Sequence, residues 1–89
     1  MNTMKQLELR YFARLRDALG LDAETVSVPA QVNTVRDLVA WLRQRGGEWD
    51  AQFSGTRPFR AAINQDIVSL DETLPDRAEV ALFPPVTGG

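Results

Sequence analysis

The chain has 89 residues, 44% hydrophobic and 25% charged, with ten basic against twelve acidic side chains and a formal net charge of −2. That suffices for one small core without disulfide or metal staples, and it implies no polycationic surface for nucleic acid. Cysteine and histidine are absent, which removes disulfides, thiol nucleophiles, Cys/His metal sites and imidazole acid–base chemistry together.

Gln6 to Phe12 alternates Leu7, Leu9 and Tyr11 against Glu8, Arg10 and Phe12, the period of a strand with one buried face. Its outward set ends in an aromatic ring. From Ala13 the spacing changes: Leu15 and Leu19 are four apart and Gly20 stands where a helix-ending glycine belongs, so a short helix or turn follows. Glu24 to Val28 alternates again until Pro29 stops it, a second strand antiparallel to the first. Thr34, with Asp37 three residues later, caps the clearest element, a helix over 34–45 with Val35, Leu38, Val39 and Leu42 on one stripe. Gly46-Gly47 closes it. Trp49 and Phe53 fall in a short irregular or helical segment that caps one end of the core. Phe59 to Ile63 is a third strand, Asn64-Gln65-Asp66 a turn, Ile67-Val68 a brief strand, and Glu79 to Phe83 the last. Asp71-Glu72 reads as a solvated turn, and no Asp/Glu pair stands in a catalytic context.

The last strand runs directly into Pro84-Pro85-Val86-Thr87-Gly88-Gly89. Two adjacent prolines remove two amide donors and disfavour helix, so the chain leaves the sheet as an extended segment. Gly88 and Gly89 carry no Cβ and can thread a narrow channel. A carboxylate delivered on roughly 15 to 18 Å of extended chain can serve as a substrate. Residues 1–83 are therefore expected to form one domain and residues 84–89 an extended, flexible C-terminal tail. No apolar run reaches membrane-spanning length and no basic-then-apolar leader is present, so a cytoplasmic protein with no membrane partner is expected.

Two strands, a main helix and two or three further strands make an α+β roll, a mixed sheet packed on one main helix. If the first and last strands lie side by side, Phe12 and Phe83 share the outward face with Ile67 nearby. An apolar partner interface would then lie where the tail leaves.

The runs Tyr11-Phe12-Ala13-Arg14-Leu15-Arg16, Ala61-Ala62-Ile63-Asn64-Gln65, Val68-Ser69, Leu74, Glu79-Val80-Ala81 and Phe83-Pro84-Pro85-Val86-Thr87-Gly88-Gly89 resemble the MoaD family. These are the small, sulfur-carrying subunits of molybdopterin synthase within the ubiquitin-like MoaD/ThiS carriers. The heptapeptide tail is the most specific part. The resemblance implies a β-grasp (ubiquitin-like) fold and a non-catalytic sulfur-donor subunit that binds no cofactor. A MoeB-like E1 activating enzyme would use ATP to adenylate the Gly89 carboxylate, and a sulfurtransferase or cysteine desulfurase would supply sulfur for the thiocarboxylate. A MoaE-like large subunit, in a heterotetramer of two small and two large subunits, would then receive the tail and pass the sulfur to the cyclic pyranopterin precursor of the molybdenum cofactor. Two alternatives stay open. One is a ThiS-like carrier for thiazole synthesis, generally shorter and without the helical first connection and the Phe-Pro-Pro-Val-Thr run. The other is a ubiquitin-like modifier joined to lysines of other proteins. Asp76-Arg77-Ala78 departs from the family's frequent Asp-Gly-Asp, which leaves the geometry of that turn open.

Overall fold

The computed structural model describes residues 4–55 and 57–85. β1 (Lys5–Tyr11) buries Leu7, Leu9 and Tyr11 and exposes Gln6, Glu8 and Arg10. It pairs antiparallel with β2 (Ala23–Val28), Leu7 facing Val26 and Lys5 facing Val28. Because side chains alternate strictly, a slip of one residue would turn Val26 and Val28 out of the core, and their burial pins the register.

Between these strands lies α1 (Ala13–Leu19), one of the two forms the spacing allows. Gly20 ends it at φ 78°, with its N–H donating to the Arg16 carbonyl at 3.0 Å, a conformation that glycine adopts without a Cβ clash. Phe12, expected in the strand, instead precedes the helix, but its φ of −129° and ψ of 156° are still extended and keep the alternation.

Thr34 caps α2 (Val35–Arg43) reciprocally. Its hydroxyl accepts from the Asp37 N–H at 3.1 Å, and the Asp37 carboxylate accepts from the N–H groups of Thr34 at 3.2 Å and Asn33 at 3.1 Å. These backbone donors hold the Asp37 carboxyl below its usual range. Val35, Leu38, Val39 and Leu42 form the buried stripe. The helix stops two residues before the expected Arg45. Gly46 and Gly47, at φ 75° and 57°, turn the chain into α3 (Glu48–Phe53), whose Phe53 meets Phe59 edge-on at 5.1 Å.

β3 (Arg60–Ile63) and β4 (Asp66–Val68) form a hairpin. Asn64 and Gln65 both take positive φ, 49° and 74°, as a two-residue turn matched to sheet twist demands. β5 (Glu79–Phe83) inserts between β1, to which it is parallel, and β3, to which it is antiparallel, giving the order β2-β1-β5-β3-β4. The result is the expected α+β roll: a mixed five-stranded sheet with the stripe of α2 buried on one face in a continuous apolar core. Arg77 occupies the unsettled turn at φ 64°. Its N–H donates to the Gln6 carbonyl at 2.7 Å, and Asp76 Oδ1 accepts from the Gln6 N–H at 2.8 Å. Hydrogen bonds to β1 thus hold a non-glycine residue where glycine would be unstrained.

Candidate functional site

The last strand sits at the middle of the sheet, with a strand hydrogen-bonded along each side. Val80 and Leu82 are fully buried beneath it, while Ala81 and Phe83 lie half-buried on the opposite, outer face. A strand held on both edges and anchored by two buried side chains is a rigid mount for whatever follows it. Pro84 and Pro85 follow outside the sheet, where the missing N–H of proline cannot extend the ladder. Val86, Thr87, Gly88 and Gly89, the remainder of the expected tail, lie outside the described residues.

The outer face is ordered by register. Arg10 faces Ala81, Ala81 faces Ala62, and Ala62 faces Ile67. One step nearer the tail, Phe83 faces Arg60, and the Phe12 N–H donates to the Leu82 carbonyl at 3.3 Å. Phe12 and Phe83 therefore end neighbouring strands on the same side, and Ile67 lies two strands from Phe83 across small alanines. Phe12 is 42% exposed and Ile67 68%, so neither is tucked under a loop. The alanines Ala62 and Ala81, which level the surface between the large side chains, carry no signal as site residues in the sequence beyond their place in the alternation.

Charge on this face changes along the strands. Glu8 faces Glu79 at the end far from the tail, and Arg10 pairs with Glu79 at 3.3 Å. The sole lysine is engaged elsewhere: Lys5 Nζ donates to the carbonyls of Leu74 at 2.8 Å and Val32 at 3.3 Å.

The one strongly shifted group outside this face is enclosed. The Tyr11 hydroxyl donates to Glu24 at 2.8 Å; burial first, and then the Glu24 carboxylate, push its pKa far above the ordinary phenol value. Arg45 grips the same carboxylate at 2.8 and 3.2 Å and lies 4.3 Å above the Trp49 ring, whose edge contact with Tyr11 spans 5.4 Å. Tyr11 is only 1% exposed, and this network ties elements together. Among the described residues no cluster of three or more His, Cys, Asp or Glu can hold a metal, and no helix is long and apolar enough to cross a membrane.

A mixed sheet with a central parallel pair, a helix packed on one face and an apolar patch beside the exit of the last strand defines a ubiquitin-like β-grasp protein. The ThiS family model matches residues 9–89, and the chain belongs to that family. The molybdopterin synthase sulfur carrier subunit of Escherichia coli (strain K12) is 37% identical over 83 residues, covering 93% of this chain and 99% of the relative. Of solved structures, a putative molybdopterin converting factor subunit 1 from Pyrococcus furiosus superposes with a TM-score of 0.74 at 31% identity, covering 92% of this chain and 99% of that one. The small archaeal modifier protein 1 of H. volcanii gives 0.73 at 26% identity, with coverage of 92% and 99%.

Proposed function

We propose that this chain is the sulfur-carrier subunit of a molybdopterin synthase. One observation carries the reading: Phe83-Pro84-Pro85 leaves the central strand beside the apolar patch, and the sequence continues as Val86-Thr87-Gly88-Gly89. Similarity over almost the whole length of the Escherichia coli sulfur carrier subunit supports it. The helical connection α1 (Ala13–Leu19) favours it over the shorter thiazole carriers.

In this reading Gly89 presents a free α-carboxylate. A carboxylate is a poor electrophile, so an E1-like partner first joins it to AMP from ATP and releases pyrophosphate. The outer sulfur of a persulfide delivered by a sulfurtransferase or cysteine desulfurase then displaces AMP to give an acyl disulfide, and a second thiol cleaves its S–S bond, leaving the thiocarboxylate and a disulfide on the donor side. The loaded tail, Pro84 through Gly89, enters the large subunit and gives its sulfur to the pterin precursor. Phe12, Phe83 and Ile67 seat the body against each partner. The carrier contributes no acid–base group to these steps, in keeping with a sequence without histidine or cysteine.

Intact mass tests the reading. After incubation with ATP, the activating enzyme and a sulfur source, a sulfur-for-oxygen exchange is expected on the C-terminal peptide. Appending a short extension to Gly89 should abolish adenylation while leaving thermal unfolding unchanged, since it is added six residues beyond Phe83, the end of the last strand. Adenylation of the extended chain would overturn the assignment. The likeness to the archaeal modifier favours a second reading, conjugation to lysines of other proteins, and ladders in a denaturing gel would report it.

A further inference from the structure

Nine of the ten basic residues are arginines, and five of them stand against acidic side chains: Arg10–Glu79, Arg16–Asp17, Arg36–Asp71, Arg43–Asp50 and Arg45–Glu24. Among the described residues Arg14, Arg57, Arg60 and Arg77 have no such partner. Three of these four meet at one end of the fold. Arg60 faces Phe83 across the sheet at the last residue of the central strand. Arg57 adjoins Pro58, and the Pro58 carbonyl accepts from Arg14 Nη2 at 2.8 Å. The other terminal nitrogen, Arg14 Nη1, is buried without a hydrogen-bond partner among the described residues.

Like charges gathered without counter-charges destabilise a fold slightly, and a buried guanidinium N–H without an acceptor costs more. Nothing in the core requires this arrangement. The outer sheet face is polarised by it, with Glu8 and Glu79 at the far end and Arg60 beside the tail. We propose that Arg57 and Arg60, with Arg14 bracing the Pro58 backbone behind them, form a cationic collar at the root of the tail that docks on an acidic rim around the channel of the protein receiving that tail.

This rests on the reading that the tail is inserted into a partner. The occupant is a protein carrying Asp and Glu side chains, because the collar borders an apolar patch with Phe12 and Phe83, which needs an apolar counterpart. A chain of net charge −2 also has no extended basic track for a nucleic acid. Planar guanidinium forks match carboxylates in two-pronged geometry, so the collar sets orientation while the patch supplies contact area.

The test measures association of the full-length chain with the purified large subunit of molybdopterin synthase from the same organism. Raising salt from about 50 mM to about 300 mM should slow wild-type association by about tenfold or more. The double variant Arg57→Glu/Arg60→Glu should associate about tenfold more slowly at low salt and lose most of the salt dependence. Arg57→Lys/Arg60→Lys should keep the salt dependence, and Arg77→Glu, at the opposite end, should behave as wild type. Both reversed positions are exposed, so unchanged thermal unfolding of the double variant separates docking from folding. Wild-type binding that ignores both salt and charge reversal overturns the collar alone. Failure of the wild type to bind the large subunit at any salt overturns the functional reading and the collar with it. Loss of heparin binding in the double variant with unchanged partner association would reassign the arginines to a polyanion and likewise overturn the proposal.

Discussion

Tyr11 joins β1, β2, the end of α2 and α3 through one hydroxyl and one ring, by way of Glu24, Arg45 and Trp49. Its neutral form is the one the fold accommodates, since a phenolate would be buried against the Glu24 carboxylate. A phenol whose pKa is raised on folding contributes stability that is fully present below its unfolded value, about 10, and lost as pH rises above it. Alkaline unfolding is therefore expected to begin above about pH 10. Tyr11 is the only tyrosine, so tyrosinate absorbance reports it alone. That absorbance should rise together with the loss of native tryptophan fluorescence. An ordinary phenol titration in a chain that keeps its native fluorescence would refute the buried, Glu24-bonded placement.

At the scale of elements, α2 depends on its first turn as much as on its apolar stripe. Thr34 and Asp37 satisfy each other's backbone N–H groups, and removing one member leaves a donor unpaired at the helix start. Thr34→Ala should lower stability by about 1 kcal/mol in denaturant unfolding. The folded pKa of Asp37 is depressed, so its contribution is complete above the unfolded carboxyl value of about 3.9 and is lost as pH falls through the lower folded value. Asp37→Asn should therefore be less stable than wild type at neutral pH and converge with it in acid. A gap that stays constant with pH would show that the charge of Asp37 contributes nothing.

At the scale of the molecule, the two faces of β5 divide folding from recognition. Leu82 is fully buried in the core, and Phe83, one residue on, is partly exposed on the outer face. Leu82→Ala should destabilise the fold by about 2 to 5 kcal/mol. Phe83→Ala should cost the fold less than about 1 kcal/mol but weaken binding to the activating enzyme and to the large subunit by about tenfold to a hundredfold. In the proposed function the tail enters both partners from one exit point beside one patch, so the two complexes should exclude each other when one partner is titrated against a preformed complex with the other. A stable ternary complex would contradict a shared surface.

Alternation and helical spacing are local properties of the chain, so the sequence by itself determined the inward sets of β1, β2 and β5, the capped start of α2 and the outward direction of Phe12 and Phe83. Each follows from a period of two or of 3.6 read against burial. The exit of Pro84 and Pro85 from the sheet was equally legible, because proline acts on its own backbone. Only the tertiary structure decided that β5 lies between β1 and β3, and therefore that Phe12 comes beside Phe83 and Arg60 faces that ring. Strand order depends on the energy of the whole sheet and on chain connections, which no window of residues contains. The same limit hid the pairing of charges. Arg45 turns to Glu24, and Lys5 donates to two carbonyls from segments distant in sequence. Long side chains find partners set by the packing of remote elements, so the arginines left without an acid are visible only once the fold has placed all the others.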